Sequence, residues 1–249
     1  MYPADETVVR VEAIPDGMAG NILDGPAYRR LRTLLTVSPI FLCLCFGTIV
    51  FGLKLLRADR EEGSSTRSNR GLGLVIGAGT VAIALGAAAP RNFWLRRIAR
   101  RAVRTRQDSV VDTDGVDVLF VEIVPRAVWE DKSLDENATD VGFLRIDQEK
   151  RRVLFEGDNM RYQIPAGAIL DCAQDSYTRL GISKNGNYLI YHHFCVVTVR
   201  TGENVRAEIP FRIRKGIPRR NDSRAREENY QLYRKIRGLM KNLPPPRIG

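Results

Sequence analysis

Apolar and polar positions fall into two patterns along this chain, with two long uncharged runs first and a series of short alternating segments after them. Thr33 to Leu53 is 21 residues without a charge. As a helix it would reach about 31 Å, enough to cross a bilayer's hydrocarbon core. Gly71 to Pro90, GLGLVIGAGTVAIALGAAAP, is a second uncharged run of 20 residues. Phe93 to Arg106 reads as a helix with Trp94, Leu95, Ile98 and Ala102 set against arginines. From Gly115 onward the period shortens to that of strands. Expected strands cover 116–124, 142–146, 152–156, 160–164, 168–173, 187–200 and 205–213. Gly157-Asp158-Asn159, Asn185-Gly186-Asn187 and Thr201-Gly202-Glu203-Asn204 supply turn chemistry between them. A last helix starts at Asp222 or Ser223, shows Leu232, Ile236, Leu239 or Met240, and Leu243 on one face, and stops at Pro244-Pro245-Pro246.

The second uncharged run admits two readings. As a dinucleotide loop it fails, because Gly71 and Gly73 are followed by Gly77 one position late, and neither a ribose-binding acid nor a Gly-Lys-Ser ending follows. As a membrane helix its glycines make sense. Gly73 and Gly77, then Ala78, Ala82 and Gly86, recur at four-residue spacing and form a stripe against which a second helix packs closely. The expectation is a two-helix transmembrane hairpin with spans of about 33–54 and 71–90. A secretory signal fits poorly, since 32 residues with five acids precede the first run.

Charge sharpens this picture. Residues 1–28 carry −4, residues 29–106 carry +12, and residues 107–249 carry +2. A nucleic-acid-binding domain wears its charge on the folded part, which here is nearly neutral, so nucleic acid is excluded as a partner. Ten arginines flank the two spans on their outer sides, against four in the connecting loop. By the positive-inside rule both termini face the cytoplasm. The excess of Arg over Lys suggests a GC-rich bacterial genome. The sequence therefore predicts a multi-pass integral protein of the bacterial inner membrane. Its parts are a flexible acidic tail (1–28), the hairpin with a basic juxtamembrane helix (29–106), and a cytoplasmic β domain (107–249) closed by a helix at about 222–243.

The order of seven strands followed by one amphipathic helix, together with GFLRIDQEKRRVLFEGDNMRYQIPAGAILDC (Gly142 to Cys172), resembles the pleckstrin-homology superfamily in its GRAM-like and bacterial branches. The resemblance covers about half the chain and implies an α+β fold, a bent seven-stranded sheet or barrel plugged by the C-terminal helix. It also implies phosphoinositide binding at the first strand–strand loop. This chain departs from the family there: residues 125–141 carry Arg126 and Lys132 against five acids, and the net −3 repels a phosphorylated headgroup.

Candidate chemistry is sparse. Arg96, Arg97, Arg100, Arg101 and Arg104 form one basic collar, and Arg212, Arg214, Lys215, Arg219 and Arg220 a second cluster; both are candidates for anionic lipid headgroups. His193 and Cys195 share a strand face without an identifiable third ligand, so neither a metal nor a cofactor is expected. Four cysteines lack the spacing of a zinc or redox motif, and no nucleophile has a partner constellation. The reading is a non-enzymatic membrane protein whose cytoplasmic module meets a protein partner or the bilayer surface, with Asn187 to Arg200 and the acidic first loop as partner surfaces. The alternative is an oligomeric accessory subunit of a membrane transport or secretion complex.

Overall fold

The computed structural model describes residues 7–23, 25–62, 75–79, 91–115, 117–130, 137–183, 186–202, 205–214 and 223–241. The chain divides into two compact units, Pro26–Trp94 and a second made of Met1–Gly25 with Leu95–Gly249.

The first unit contains α1 (Pro26–Glu62), an unbroken helix in which Pro39 makes no interruption. Thr33 and Thr48 return their hydroxyls to the carbonyls of Arg29 and Leu44, at 3.0 and 2.8 Å. Leu44, Phe46, Phe51 and Leu53 are exposed. The expected first span is thus the middle of a longer helix, with Arg29, Arg30 and Arg32 in its opening turns and Asp59, Glu61 and Glu62 at its end. Of the expected second span only residues 75–79 are described, and they are helical. Among the described residues no helix is long and apolar enough to cross a membrane. The transmembrane hairpin, the membrane classification and the multi-pass inner-membrane location with cytoplasmic termini are corrected on this finding.

The second unit is a single antiparallel sheet of eight strands, which replaces the expected hairpin-plus-seven-strand architecture. Its strands are β1 (Arg10–Ala13), β2 (Val118–Ile123), β3 (Asp140–Asp147), β4 (Arg152–Glu156), β5 (Met160–Pro165), β6 (Ile169–Ser183), β7 (Gly186–Gly202) and β8 (Val205–Ile213). Their order across the sheet is β1-β5-β4-β3-β2-β8-β7-β6. The eighth strand comes from the acidic tail: Arg10 to Ala13 pair antiparallel with Gln163 to Met160. Charge alone had marked that segment as flexible, yet Val9 and Ile14 on either side of it are buried. A backbone bond from the Val9 N–H to the Arg200 carbonyl, 3.0 Å, joins the segment before β1 to the end of β7.

Two further α-helices among the described residues are α2 (Arg91–Arg104) and α3 (Ser223–Lys241). Leu232, Ile236 and Leu239 recur at the 3.6-residue period and lie at 2% exposure or less on the sheet's inner face. There they join Val121, Ile123, Leu144, Val153, Phe155, Ile164, Cys195, Val197 and Phe211. The Arg151 guanidinium donates to the Leu239 carbonyl at 2.9 Å, satisfying one of the acceptors left open at a helix end.

Candidate functional site

β6 and β7 outgrow the sheet that holds them. β8 pairs with β7 only from Cys195 to Gly202. Beyond that, β6 and β7 continue as a two-stranded ribbon, from Asp175 opposite Phe194 to Ser183 opposite Gly186. The alternation along β7 puts Leu189, Tyr191, His193, Cys195 and Val197 on one face, continuous with the core. Cys195 and Val197 are sealed by the rest of the core, but the outer residues are not. Leu180 and Leu189 face each other across the ribbon at 58% and 45% exposure, and Tyr191 is 38% exposed. The Tyr191 and His193 rings stack at 6.4 Å and 5°.

The ribbon's base is fixed on its other face. Trp129 stacks on Phe194 with centroids 4.1 Å apart, and its indole N–H donates to the Val124 carbonyl at 2.9 Å. Val124 and Val196 complete this second apolar cluster, with Tyr177 of β6 packed against it. Arg126 lies over the Trp129 ring at 5.0 Å. Its guanidinium bridges Asp175 of β6 at 2.8 Å and Glu208 of β8 at 2.7 Å. Below them is a buried polar group. Glu122 accepts from the Arg212 Nε directly opposite on β8, and from Arg214 at 2.6 Å. Arg212 also donates to the His192 Nδ1 at 2.8 Å, which leaves the ring proton of a neutral imidazole on Nε2. The ribbon therefore projects from a base held by stacked rings and paired charges.

A second polar network holds the N-terminal segment to the sheet. The Glu156 carboxylate, fully buried, accepts from Arg106 at 2.9 Å, from the Arg161 Nε at 2.8 Å and from the Val110 N–H at 3.1 Å. Arg161 also meets Asp108 at 2.9 Å and Glu12 at 3.3 Å. The hydrogen bonds it donates to Glu156 and Asp108 hold its guanidinium well above the usual arginine range. The Asp158 carboxylate takes the Ile22 and Leu23 N–H groups at 2.9 and 2.8 Å. Asp140 accepts four N–H groups, those of Val141, Asp158, Asn159 and Met160. Burial nevertheless pushes it up to about 6. Gly157 belongs to the same turn, and any Cβ there would collide with the Asp140 carboxylate. Its carboxylates are engaged by arginines or backbone N–H groups, and Glu156, Asp158 and Asp140 are buried, which fits a clasp better than a reactive centre.

The sequence-selected residues are scattered. Arg96, Arg97 and Arg101 are exposed on α2, while Arg100 and Arg104 both meet Asp114. Arg212 and Arg214 are engaged by Glu122, and Lys215, Arg219 and Arg220 lie outside the described residues. Gly77 has open space where a Cβ would go and Ala78 is half-buried; Gly73, Ala82 and Gly86 lie outside the described residues. Cys172 and Cys195 are buried with their sulfurs 3.6 Å apart. That contact and burial push the Cys195 thiol up. Among the described residues no group of three His, Cys, Asp or Glu could hold a metal. A cleft of about 570 Å³ runs along β1 and β5, lined by Val8, Val9, Arg10, Lys150, Arg152, Gln163 and Pro165.

No family model, curated protein or solved structure matches the chain. The functional reading therefore rests on this geometry.

The residue that sequence reasoning missed is Leu180; Leu189 and Tyr191 lie within the Asn187 to Arg200 strand it had selected. The pairing of Leu180 with Leu189 was not legible there, because the Asn185-Gly186 pair lies five positions after Leu180 and three before Leu189.

Proposed function

We propose that this protein is a non-catalytic binding module whose β6–β7 ribbon engages a protein partner. The observation that carries the reading is the exposed Leu180–Leu189–Tyr191 face on a two-stranded extension. An isolated hairpin is marginally stable in water, and apolar cross-strand pairs gain little while they stay wet. A partner that covers this face removes both deficits, and the Arg126–Trp129 base presents the ribbon in one orientation. The β7 part of this surface lies within the Asn187 to Arg200 strand that sequence pattern already picked out.

The test places a photo-crosslinking amino acid at position 189 of the full chain, with and without Leu180→Lys. The expected result is a discrete protein adduct in the first case and none in the second. Because the leucine is exposed, Leu180→Lys should leave the unfolding midpoint unchanged, within about 0.5 kcal/mol. An adduct that persists with Leu180→Lys, or no adduct at all, overturns the reading.

A further inference from the structure

The two margins of the sheet are unequal. β1 ends one side after four residues, short enough to leave little edge exposed. β6 ends the other side with 15 residues. Among the described residues no strand pairs with its outer edge. β6 carries little protection along most of its length. It contains neither proline nor lysine, its one register irregularity lies at Ile169/Asp171, and from Cys172 to Ser183 its pairing with β7 is unbroken. Unpaired N–H and C=O groups along such an edge form a template for another strand.

We propose that the occupant is a second copy of this chain, with β6 pairing antiparallel to β6 about a two-fold axis. This rests on the reading of the ribbon as a binding element and names the occupant of its open edge. The argument is charge complementarity. A two-fold axis perpendicular to the sheet carries each face onto itself, so residues opposite one another share parity and the axis passes through a single residue position. Centred on Asp175 the pairing sets aspartate against aspartate, and centred on Arg179 it sets arginine against arginine. Centred on Tyr177 it sets Asp175 opposite Arg179 twice, Ser176 opposite Thr178 twice, and Tyr177 opposite itself. Opposite charges, Ser–Thr pairs and aromatic pairs are the combinations that stabilise antiparallel neighbours. Asp175 is held in place beforehand by Arg126, 2.8 Å away, and a carboxylate accepts from two guanidinium groups at once. Tyr177, packed against the Trp129–Phe194 cluster, provides a fixed centre.

Sedimentation velocity on the full chain should give a dimer. Arg179→Asp, which leaves the Arg126–Asp175 bridge intact, should halve the sedimenting mass, and Asp175→Arg with Arg179→Asp should restore it. In a Cys43→Ser, Cys45→Ser background, Tyr177→Cys should give a disulfide-linked dimer on oxidation, while Asp175→Cys, four positions from its own copy, should not. Circular dichroism checks that each variant keeps its fold. A monomeric wild-type chain, or a dimer indifferent to Arg179→Asp and not cross-linked at 177, overturns the proposal. If the chain is monomeric and position 189 still captures a different protein, the self-pairing fails and the ribbon reading stands. A monomer with no adduct removes both.

Discussion

The Glu156 carboxylate shows how a buried charge is tolerated in this fold. It lies at 0% exposure between two guanidinium groups, and among the described residues it is the sole carboxylate paired with Arg106. Glu156→Gln keeps the shape and removes the charge, leaving Arg106 buried without a counter-ion. A loss of about 3–5 kcal/mol is expected, read from urea denaturation. Arg161 is less affected, since Asp108 and Glu12 remain beside it. Asp140 gives a pH dependence of definite sign. Its folded value of about 6 lies above the ordinary 3.8, so the folded state holds this proton more tightly than the unfolded chain. Its contribution is fully present below pH 3.8 and is lost as pH rises through about 6. The change is about 3 kcal/mol across that window. Denaturation midpoints measured between these limits should lose this downward slope in Asp140→Asn, and an identical slope in the variant would remove the assignment. None of this network was visible in the sequence. Its members are 12, 106, 108, 140, 156, 158 and 161, and no spacing rule joins residues that only the fold brings together.

Strands are the level at which the sequence was most informative. The turns at Gly157-Asp158-Asn159 and Asn185-Gly186 and the alternation of β4, β5 and β8 locate those elements to within a residue or two. Two elements escaped for different reasons. β1 is four residues in an acidic stretch, too short for a period to register, and its strand character comes from β5. β6 was expected to stop at Ala173, before the polar Gln174-Asp175-Ser176 run. It continues to Ser183 because β7 offers it a complete backbone ladder. The exposed Leu180 in this extension leaves its apolar face open to partners. The expected membrane spans failed for a third reason, because a count of consecutive uncharged residues describes a helix's composition and says nothing of what surrounds it.

At the scale of the whole molecule, the chain order carries a further consequence. β1 precedes α1 and its partner β5 follows α2, so everything from 26 to 94 is inserted between two strands that lie side by side. The contacts that tie residues 9–23 to the sheet are non-local: the ladder to β5, the Val9–Arg200 bond, the Glu12–Arg161 pair and the Asp158 grip on Ile22 and Leu23. Continuity of the backbone through the insertion is therefore not what keeps β1 in the sheet. A protease site introduced between 63 and 74 and then cut should yield two pieces that co-elute under native conditions and separate in urea. Separation without denaturant would show that the peptide bond was needed after all. If the pieces stay together, the protein is a natural complementation pair, and either fragment, expressed alone, becomes a selective reagent for capturing the other.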